Sequence, residues 1–443
     1  METKTHPRTT SDLQRQPQNR AWTVAYYALA SRIVIWAIAV ASHAFIQDYD
    51  SALELILPID SAPQRLFKGI LGVFLRWDSF YFVHQAEYGY VFEQAHAFFP
   101  LLPWLMRVVA GTVLAPLSFY LNDTQILVLA GVLVANASFI VATVQLYRLS
   151  SKLFGQEKFA FTSAILYAFS PSGIFMSAVY AESLFAALSF TGMVFAADKN
   201  YLLAAIAWSL SSTARSNGVL YAGFFIYDLV VQMDLQKPVL RNTFSVVKAM
   251  VFCLISWTGF ITVQLYGYAL YCSGEISSLD VRPWCSRSIP LLYSFVQEFY
   301  WNVGFLRYYE IKQIPNFAMA APMIILSASG IYYYVKYDVH RALTLGRQSS
   351  QPETKDTAPF LSQKMFPYIT LWAVLLLTNI TTMHIQIITR AFSCMPPVYW
   401  FAAHQFDGRP STPGSGWTWS VAIFFVMYSL IGIILFANFF PPA

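Results

Sequence analysis

Charged residues are scarce in this chain. They make up 12% of its 443 residues, where a soluble domain carries about 25%. With 57% hydrophobic residues and a mean hydropathy of +0.49, that scarcity excludes an ordinary soluble domain. Cysteine is scarce too: four cysteines exclude a disulfide scaffold and a cysteine-rich metal cluster. No basic block is present and the net charge of +5 is mild, so nothing points to nucleic acid. The first twenty residues, METKTHPRTTSDLQRQPQNR, lack the apolar core and small-residue site of a cleaved signal peptide. The first hydrophobic run is therefore expected to remain as an anchor. No long repeat is visible.

What is present is a series of apolar runs. A membrane helix needs about 20 mainly apolar residues. Nearly uncharged runs occur at 22–45, 98–106 with 108–121, 126–147, 159–181, 183–197, 201–214, 216–227, 249–274, 313–335, 365–383 and 410–443. Several are short, so broken or tilted helices are expected around 159–228. The reading is an all-α polytopic membrane protein with large luminal loops and interfacial helices.

Lys and Arg mark the cytoplasmic side. The candidates are Lys4, Arg8, Arg15 and Arg20, then Arg148, Lys152 and Lys158, Lys199, then Lys237, Arg241 and Lys248, and the polar stretch from Lys336 to Lys364. Placing all of these inside allows one crossing between residue 46 and Arg148, yet two runs compete for it. Pro100, Pro103 and Pro116 interrupt 98–121, and proline inside a helix costs about 3 kcal/mol. That run is therefore laid along the luminal interface, and 126–147 crosses. The resulting division is a cytoplasmic tail at 1–21 and a transmembrane core at 22–335 with luminal loops at 46–125 and 272–315. A flexible cytoplasmic linker follows at 336–364, then a C-terminal transmembrane region at 365–443.

On this placement the polar motifs gather on the luminal side. FLRWDSFYFVHQAEYGY, residues 74–90, crowds Arg76, Trp77, Asp78, His84 and Glu87 among aromatics outside any span, and Arg76, Trp77 and His84 are expected there as substrate contacts. Asp78 reads either as a helix cap or as a base that takes the proton of an attacking hydroxyl. Tyr180 and Glu182 sit between two apolar runs. A carboxylate there either faces water at a helix end or serves a substrate. Arg215 and Asn217, in ARSNG, occupy a similar break, and arginine can grip phosphate with two parallel N–H groups. His384, Gln386 and Arg390 follow a span directly, and Arg390 is a further candidate for phosphate. Asp48 and Asp50, in DYD, have the spacing of a D-x-D cation site. They abut the first span with no nucleotide-binding domain, so they read as solvated loop residues and no metal site is assigned. Cys272 and Cys285 share one luminal loop, where an oxidising lumen permits a disulfide.

Taken together, these stretches resemble the PIG-V family of GPI mannosyltransferases. The resemblance is carried by RWDSFYFVHQAEYGY with AFFPLLP, SPSGIFMSAVYAESLFAALSF, ARSNGVL, PWCSRSIPLLYSFVQEFYWNVGFLRYYEIKQIPNFAMAAP and HIQIITRAFSCMPPVYWFAAH, in order from about residue 76 to 404. It implies a GT-C glycosyltransferase of the endoplasmic reticulum membrane with its active site facing the lumen. It implies an inverting transfer of the second, α1,6-linked mannose from dolichol-phosphate mannose to mannosyl-glucosaminyl-phosphatidylinositol. It further implies Asp78 as the catalytic residue, no cofactor, and a small accessory membrane subunit as partner. Another dolichol-dependent transferase is the near alternative. A lipid or solute transporter is the distant one, disfavoured because no repeat is visible and the charges sit at span ends rather than mid-membrane.

Overall fold

The computed structural model describes residues 10–49, 53, 57, 61–234, 236, 238–273, 282–351, 353, 354, 357–407 and 415–441, with side chains described from residue 20 and, in the last helix, from residue 417. Lys4, Arg8, Asp50 and Lys237, and the side chain of Arg15, lie outside the described residues. Among the described residues all regular structure is helical. We number the helices of eight or more residues: α1 (Thr10–Phe45), α2 (Ala62–Leu71), α3 (Ser79–Tyr88), α4 (Leu101–Gly111), α5 (Asp123–Phe154), α6 (Glu157–Ala168) and α7 (Glu182–Ala197). They continue as α8 (Tyr201–Ala214), α9 (Val239–Cys272), α10 (Leu292–Phe299), α11 (Ile314–Tyr337), α12 (Phe366–Thr381), α13 (Pro396–Gln405) and α14 (Ser415–Ala437). Among the described residues, six helical stretches are long and apolar enough to cross a membrane: Arg20–Phe45, Asp123–Phe154, Val239–Cys272, Ile311–Tyr337, Gln363–Thr381 and Trp417–Ala437. The chain is a multi-pass membrane protein.

The disputed run at 98–121 folds as α4 and a short 3-10 turn, Ala115–Phe119. At 1.5 Å per residue α4 is about 16 Å long, roughly half the hydrocarbon thickness. Arg107 on α4 donates to Ala86 O and, at 3.3 Å, to Gln85 O. A cation on carbonyls in the last turns of α3 suits the negative end of that helix. The long crossing helix is α5. Asn122 and Gln125 close a capping box at its start, and Gly155 at φ +64 ends it, a conformation that favours glycine.

The apolar run at 159–181 is not one helix. α6 stops at Ala168 and residues 169–181 form consecutive turns before α7. Irregular backbone at membrane depth survives only where protein satisfies its polar groups. Arg32 on α1, 2% exposed, donates to Ala168 O at 3.1 Å, Gly173 O at 2.9 Å and Ser177 Oγ at 3.2 Å. Asn136 Nδ2 donates to Ser177 O, Ser183 Oγ to Met176 O, and Val179 N to Phe74 O. The turn segment is thus tied to α1, α5, α7 and the stretch just before Arg76.

The stretch expected to be a flexible linker carries a bonded cluster at residues 338–351. Asp338 accepts from Arg341 N at 3.0 Å, Ser349 Oγ at 2.6 Å and Ser350 Oγ at 2.8 Å. Arg341, itself buried, donates to Leu361 O at 2.7 Å. A buried carboxylate and a buried guanidinium are costly unless bonded in this way, and bonding them fixes residues 338–351.

The end of α14 returns to the site. Ala437 O accepts from Arg76 Nη2 at 2.8 Å, and Asn438 O accepts from Tyr49 N at 2.9 Å. Residues 437–441 therefore lie at the same end of the molecule as Asp78. The α5–α6 junction lies beyond a helix of about 48 Å. A single cysteine at Lys158, with the buried Cys253 and Cys394 replaced by alanine, should react with an impermeant maleimide in sealed vesicles whose luminal side is inward. A cysteine at the exposed Tyr88 should react only after detergent opens them. Labelling of both from one side would contradict the single crossing between them.

Candidate active site

Asp78 owes its position to a sharp turn. Trp77 has φ +52, uncommon for a bulky non-glycine residue and a mark of local strain. The turn closes through Ser79 N to Arg76 O at 3.1 Å and Arg76 N to Ser79 Oγ at 2.7 Å. α3 then starts directly after Asp78, whose side chain makes no capping bond. The buried Tyr180 hydroxyl braces the turn from the other side, accepting from Asp78 N at 3.2 Å and donating to Arg76 O at 3.1 Å.

The carboxylate of Asp78 instead meets Arg390. Its Oδ2 is 2.8 Å from Arg390 Nη2. Arg390 also donates through Nε to Glu182 Oε1 at 2.9 Å, with Nη2 2.8 Å from the same oxygen. Arg215 Nη1 reaches that oxygen too, at 2.7 Å. Glu182 opens α7 and Arg215 directly follows α8, the helix ends that favour a negative and a positive charge respectively. The Arg390 guanidinium lies over the rings of Phe175 and Tyr180, 4.8 and 4.7 Å from their centroids. Burial by itself would lower its pKa. Glu182, then Asp78 and Tyr180, outweigh that and raise it above the ordinary arginine value. Arg390 is a fixed cation.

These groups line one cavity of about 550 Å³, a volume that suits a small-molecule or glycosyl ligand. Asp78, Glu182, Arg215, Asn217, His384, Gln386 and Arg390 all line it, drawn from four segments far apart in the chain. His384 stacks on Tyr308 at 4.8 Å. Burial lowers its pKa, which a backbone hydrogen bond with Trp301 only partly offsets, so at neutral pH it is a neutral hydrogen-bonding group. Tyr308 donates to Gln386 Oε1 at 3.4 Å.

Four expected substrate contacts do not reach the cavity. Arg76 is fully buried behind it, spent on Gly72 O at 2.6 Å, Ala437 O and Asp48 Oδ2 at 3.2 Å, with Phe439 4.3 Å below the guanidinium. It fastens the turn to the end of α14. That ion pair also occupies Asp48, the described half of the DYD pair. Trp77 turns away toward Phe439, 6.1 Å between centroids. His84 packs against the rings of Tyr88 and Phe92, at 5.1 and 5.6 Å between centroids, and does not line the cavity. Tyr180 is the brace already described.

The sequence reading did not single out the far wall, where Gln297, Trp301, Val303 and Asn379 line the cavity. It is held by a second knot. Glu93, buried, accepts from Arg282 Nε at 3.0 Å, Trp284 Nε1 at 2.9 Å and Tyr300 OH at 2.8 Å. Burial raises the Glu93 pKa, and these donors outweigh it and lower the pKa below the usual value. Cys272 and Cys285 form a disulfide beside the knot, with Cα atoms 5.6 Å apart. Glu93 and Arg282 are 189 residues apart, so no local spacing signals the pair.

A family model described as mannosyltransferase (PIG-V) matches residues 21–443. Human GPI alpha-1,6-mannosyltransferase 2 is 30% identical over 94% of this chain and 98% of its own. The GPI mannosyltransferase 2 of Schizosaccharomyces pombe is 31% identical, covering 95% of this chain and 84% of its own. That of Gibberella zeae is 33% identical, covering 89% and 92%. Among solved structures, an oligosaccharyltransferase of Archaeoglobus fulgidus aligns with 94% of this chain and 56% of its own, at a TM-score of 0.46 and 10% identity. That likeness is too slight to bear on function.

Glu182 is 2% exposed and Asp78 is 30% exposed at the side chain, so their losses should differ. Breaking a buried ion pair from one side costs about 3–5 kcal/mol. Glu182→Gln should lower the melting temperature of the detergent-purified protein well below that of Asp78→Asn. Equal melting temperatures would deny Glu182 its anchoring part.

Proposed function

This chain belongs to the PIG-V mannosyltransferase family, and from that premise we propose that it adds the second mannose, in α1,6 linkage, to the GPI precursor in the endoplasmic reticulum. The donor is dolichol-phosphate mannose and the acceptor is mannosyl-glucosaminyl-phosphatidylinositol. The transporter alternative falls with the family membership. Both substrates are lipids, which suits an enzyme embedded in the bilayer, and the sugar heads meet it on the luminal side. The overall architecture is GT-C.

The observation that carries this reading is a carboxylate and two arginines fixed on one cavity. The donor sugar is β-linked and the product α-linked, so a single displacement inverts the anomeric carbon. The acceptor hydroxyl gives its proton to Asp78 while its oxygen bonds to that carbon. The bond from the carbon to the phosphate oxygen breaks, and its electron pair leaves with dolichyl phosphate. Arg390 is already committed to Asp78 and Glu182, so it acts chiefly as a positioning residue for the base. Arg215, more exposed than Arg390, is the better placed group for the phosphate charge. Fixed guanidiniums supply that stabilisation without a metal, and Asp48 is held by Arg76.

Asp78→Asn keeps the shape and removes the base. A positioned base contributes about 10²–10⁴-fold. The variant should be made and inserted normally, transfer mannose that much more slowly, and let the one-mannose precursor accumulate in cells. Wild-type transfer by purified protein should persist in excess EDTA. Near-normal transfer by well-folded Asp78→Asn would remove Asp78 from the role. Loss in EDTA restored by Mn²⁺ would return a metal to the mechanism.

A further inference from the structure

Among the described residues, two buried oxygens of side chains that line this cavity have no partner, and they narrow what the cavity holds. Asn379 stands in the last turn of α12 and is 4% exposed. Its Nδ2 donates to Leu375 O, one turn back, at 2.8 Å. Only the nitrogen can make that bond, so the amide's orientation is fixed and Oδ1 faces away from Leu375 O. Oδ1 is buried and has no hydrogen-bond partner among the described residues, yet Asn379 lines the cavity. The second oxygen is Glu182 Oε2, also buried and unpartnered among the described residues. Among the described residues, the three arginine contacts of Glu182 all fall on Oε1.

An unpaired buried acceptor is costly and rare in a folded protein. Leucine, nearly the shape of asparagine, would avoid the cost in a helix that already carries Leu375, Leu376 and Leu377. The carbonyl of Leu375 gains little from Asn379, because the helix ladder already engages it. A polar side chain kept in such a run is explained best by a ligand. Both orphan oxygens are acceptors, and Trp301 Nε1 on the same cavity is a buried donor without a partner among the described residues, so the ligand must donate as well as accept. A phosphodiester anion has no donor, and two guanidiniums on Glu182 oppose a cation there. Sugar hydroxyls do both.

We infer that Asn379 is a specificity-determining residue that binds a sugar: Oδ1 accepts a hydrogen bond from one hydroxyl of a hexose held in the cavity. This rests on the mannosyl-transfer reading above. The hexose is the donor mannose or the acceptor's terminal mannose, and both offer the same chemistry.

The test uses the full chain in detergent with dolichol-phosphate mannose and a defined acceptor. One arm removes single hydroxyls from the donor sugar, the other from the acceptor's terminal mannose. For the wild type, one deletion should lower kcat/KM by about 10–100-fold, because it leaves Oδ1 unpaired. Asn379→Leu should lose a similar factor on the intact substrates and be indifferent to that one deletion, while the other deletions keep their cost. The arm in which the indifference appears identifies the sugar. Asn379→Leu should also melt at or above the wild-type temperature, since it removes an unsatisfied group. Asn379→Ala provides the same contrast if the leucine branch crowds the wall. Sensitivity to every deletion equal to the wild type's would overturn the inference, as would a uniform loss accompanied by a lower melting temperature. No transfer from dolichol-phosphate mannose by the wild type would bring down the donor reading, and this inference with it.

Discussion

A carboxylate with 2% exposure persists in its charged form only when opposite charges surround it, and Glu182 has two. Arg390 and Arg215 converge on its Oε1, which fixes where both guanidiniums stand. Arg390 then has one further partner, Asp78, so the proposed base is located by a carboxylate that itself need not touch the reacting atoms. Three stretches of chain meet in this contact: the turn before α3, the start of α7 and the turn after α12. The break after α8 joins them through Arg215. Because a half-broken buried pair is far worse than an intact one, the pairing also disfavours arrangements in which any of these stretches drifts.

That geometry depends on backbone that is neither helix nor strand. Residues 169–181 must turn inside the protein so that Glu182 opens a new helix facing Arg390 rather than continuing α6. Arg32 makes the turn affordable by taking Ala168 O and Gly173 O from the α1 side. Arg76 does the corresponding work for the RWD turn by bonding Ala437 O and Asp48. Arg32 and Arg76 therefore fasten the backbone around the site from inside, whereas Arg215 and Arg390 face the cavity. Burial separates the pairs: Arg32 and Arg76 are at most 2% exposed, while Arg215 and Arg390 keep partial access to the cavity.

Much of this was legible in the residues. The apolar runs predicted the long helices, prolines predicted the interruption at 98–121, and the family resemblance singled out Asp78. Glu182, Arg215, Asn217, His384, Gln386 and Arg390 were visible because polar groups at the ends of apolar runs are expensive. Adjacency misled at RWD. In a tight turn with Trp77 at φ +52, neighbouring side chains diverge, so Arg76 and Trp77 leave the cavity that Asp78 faces. Asn379 was hidden because one amide barely alters the hydropathy of its run. The ordering of 338–351 was hidden because serine and glutamine read as linker composition, whereas here serine hydroxyls and a backbone amide bond Asp338. The Glu93 knot joins residues too far apart for any window to couple.

The central claim is that Glu182 acts on transfer through Arg390 and Asp78 as one unit, and a double-mutant cycle on the transfer rate tests it most directly. Rates at saturating donor and acceptor are compared for the wild type, Asp78→Asn, Glu182→Gln and the double variant, each checked for folding. Residues that act as a unit are strongly non-additive. The double variant should therefore be only a few-fold slower than the slower single variant. A double variant slowed by the product of the two single losses would show independent roles and contradict the claim.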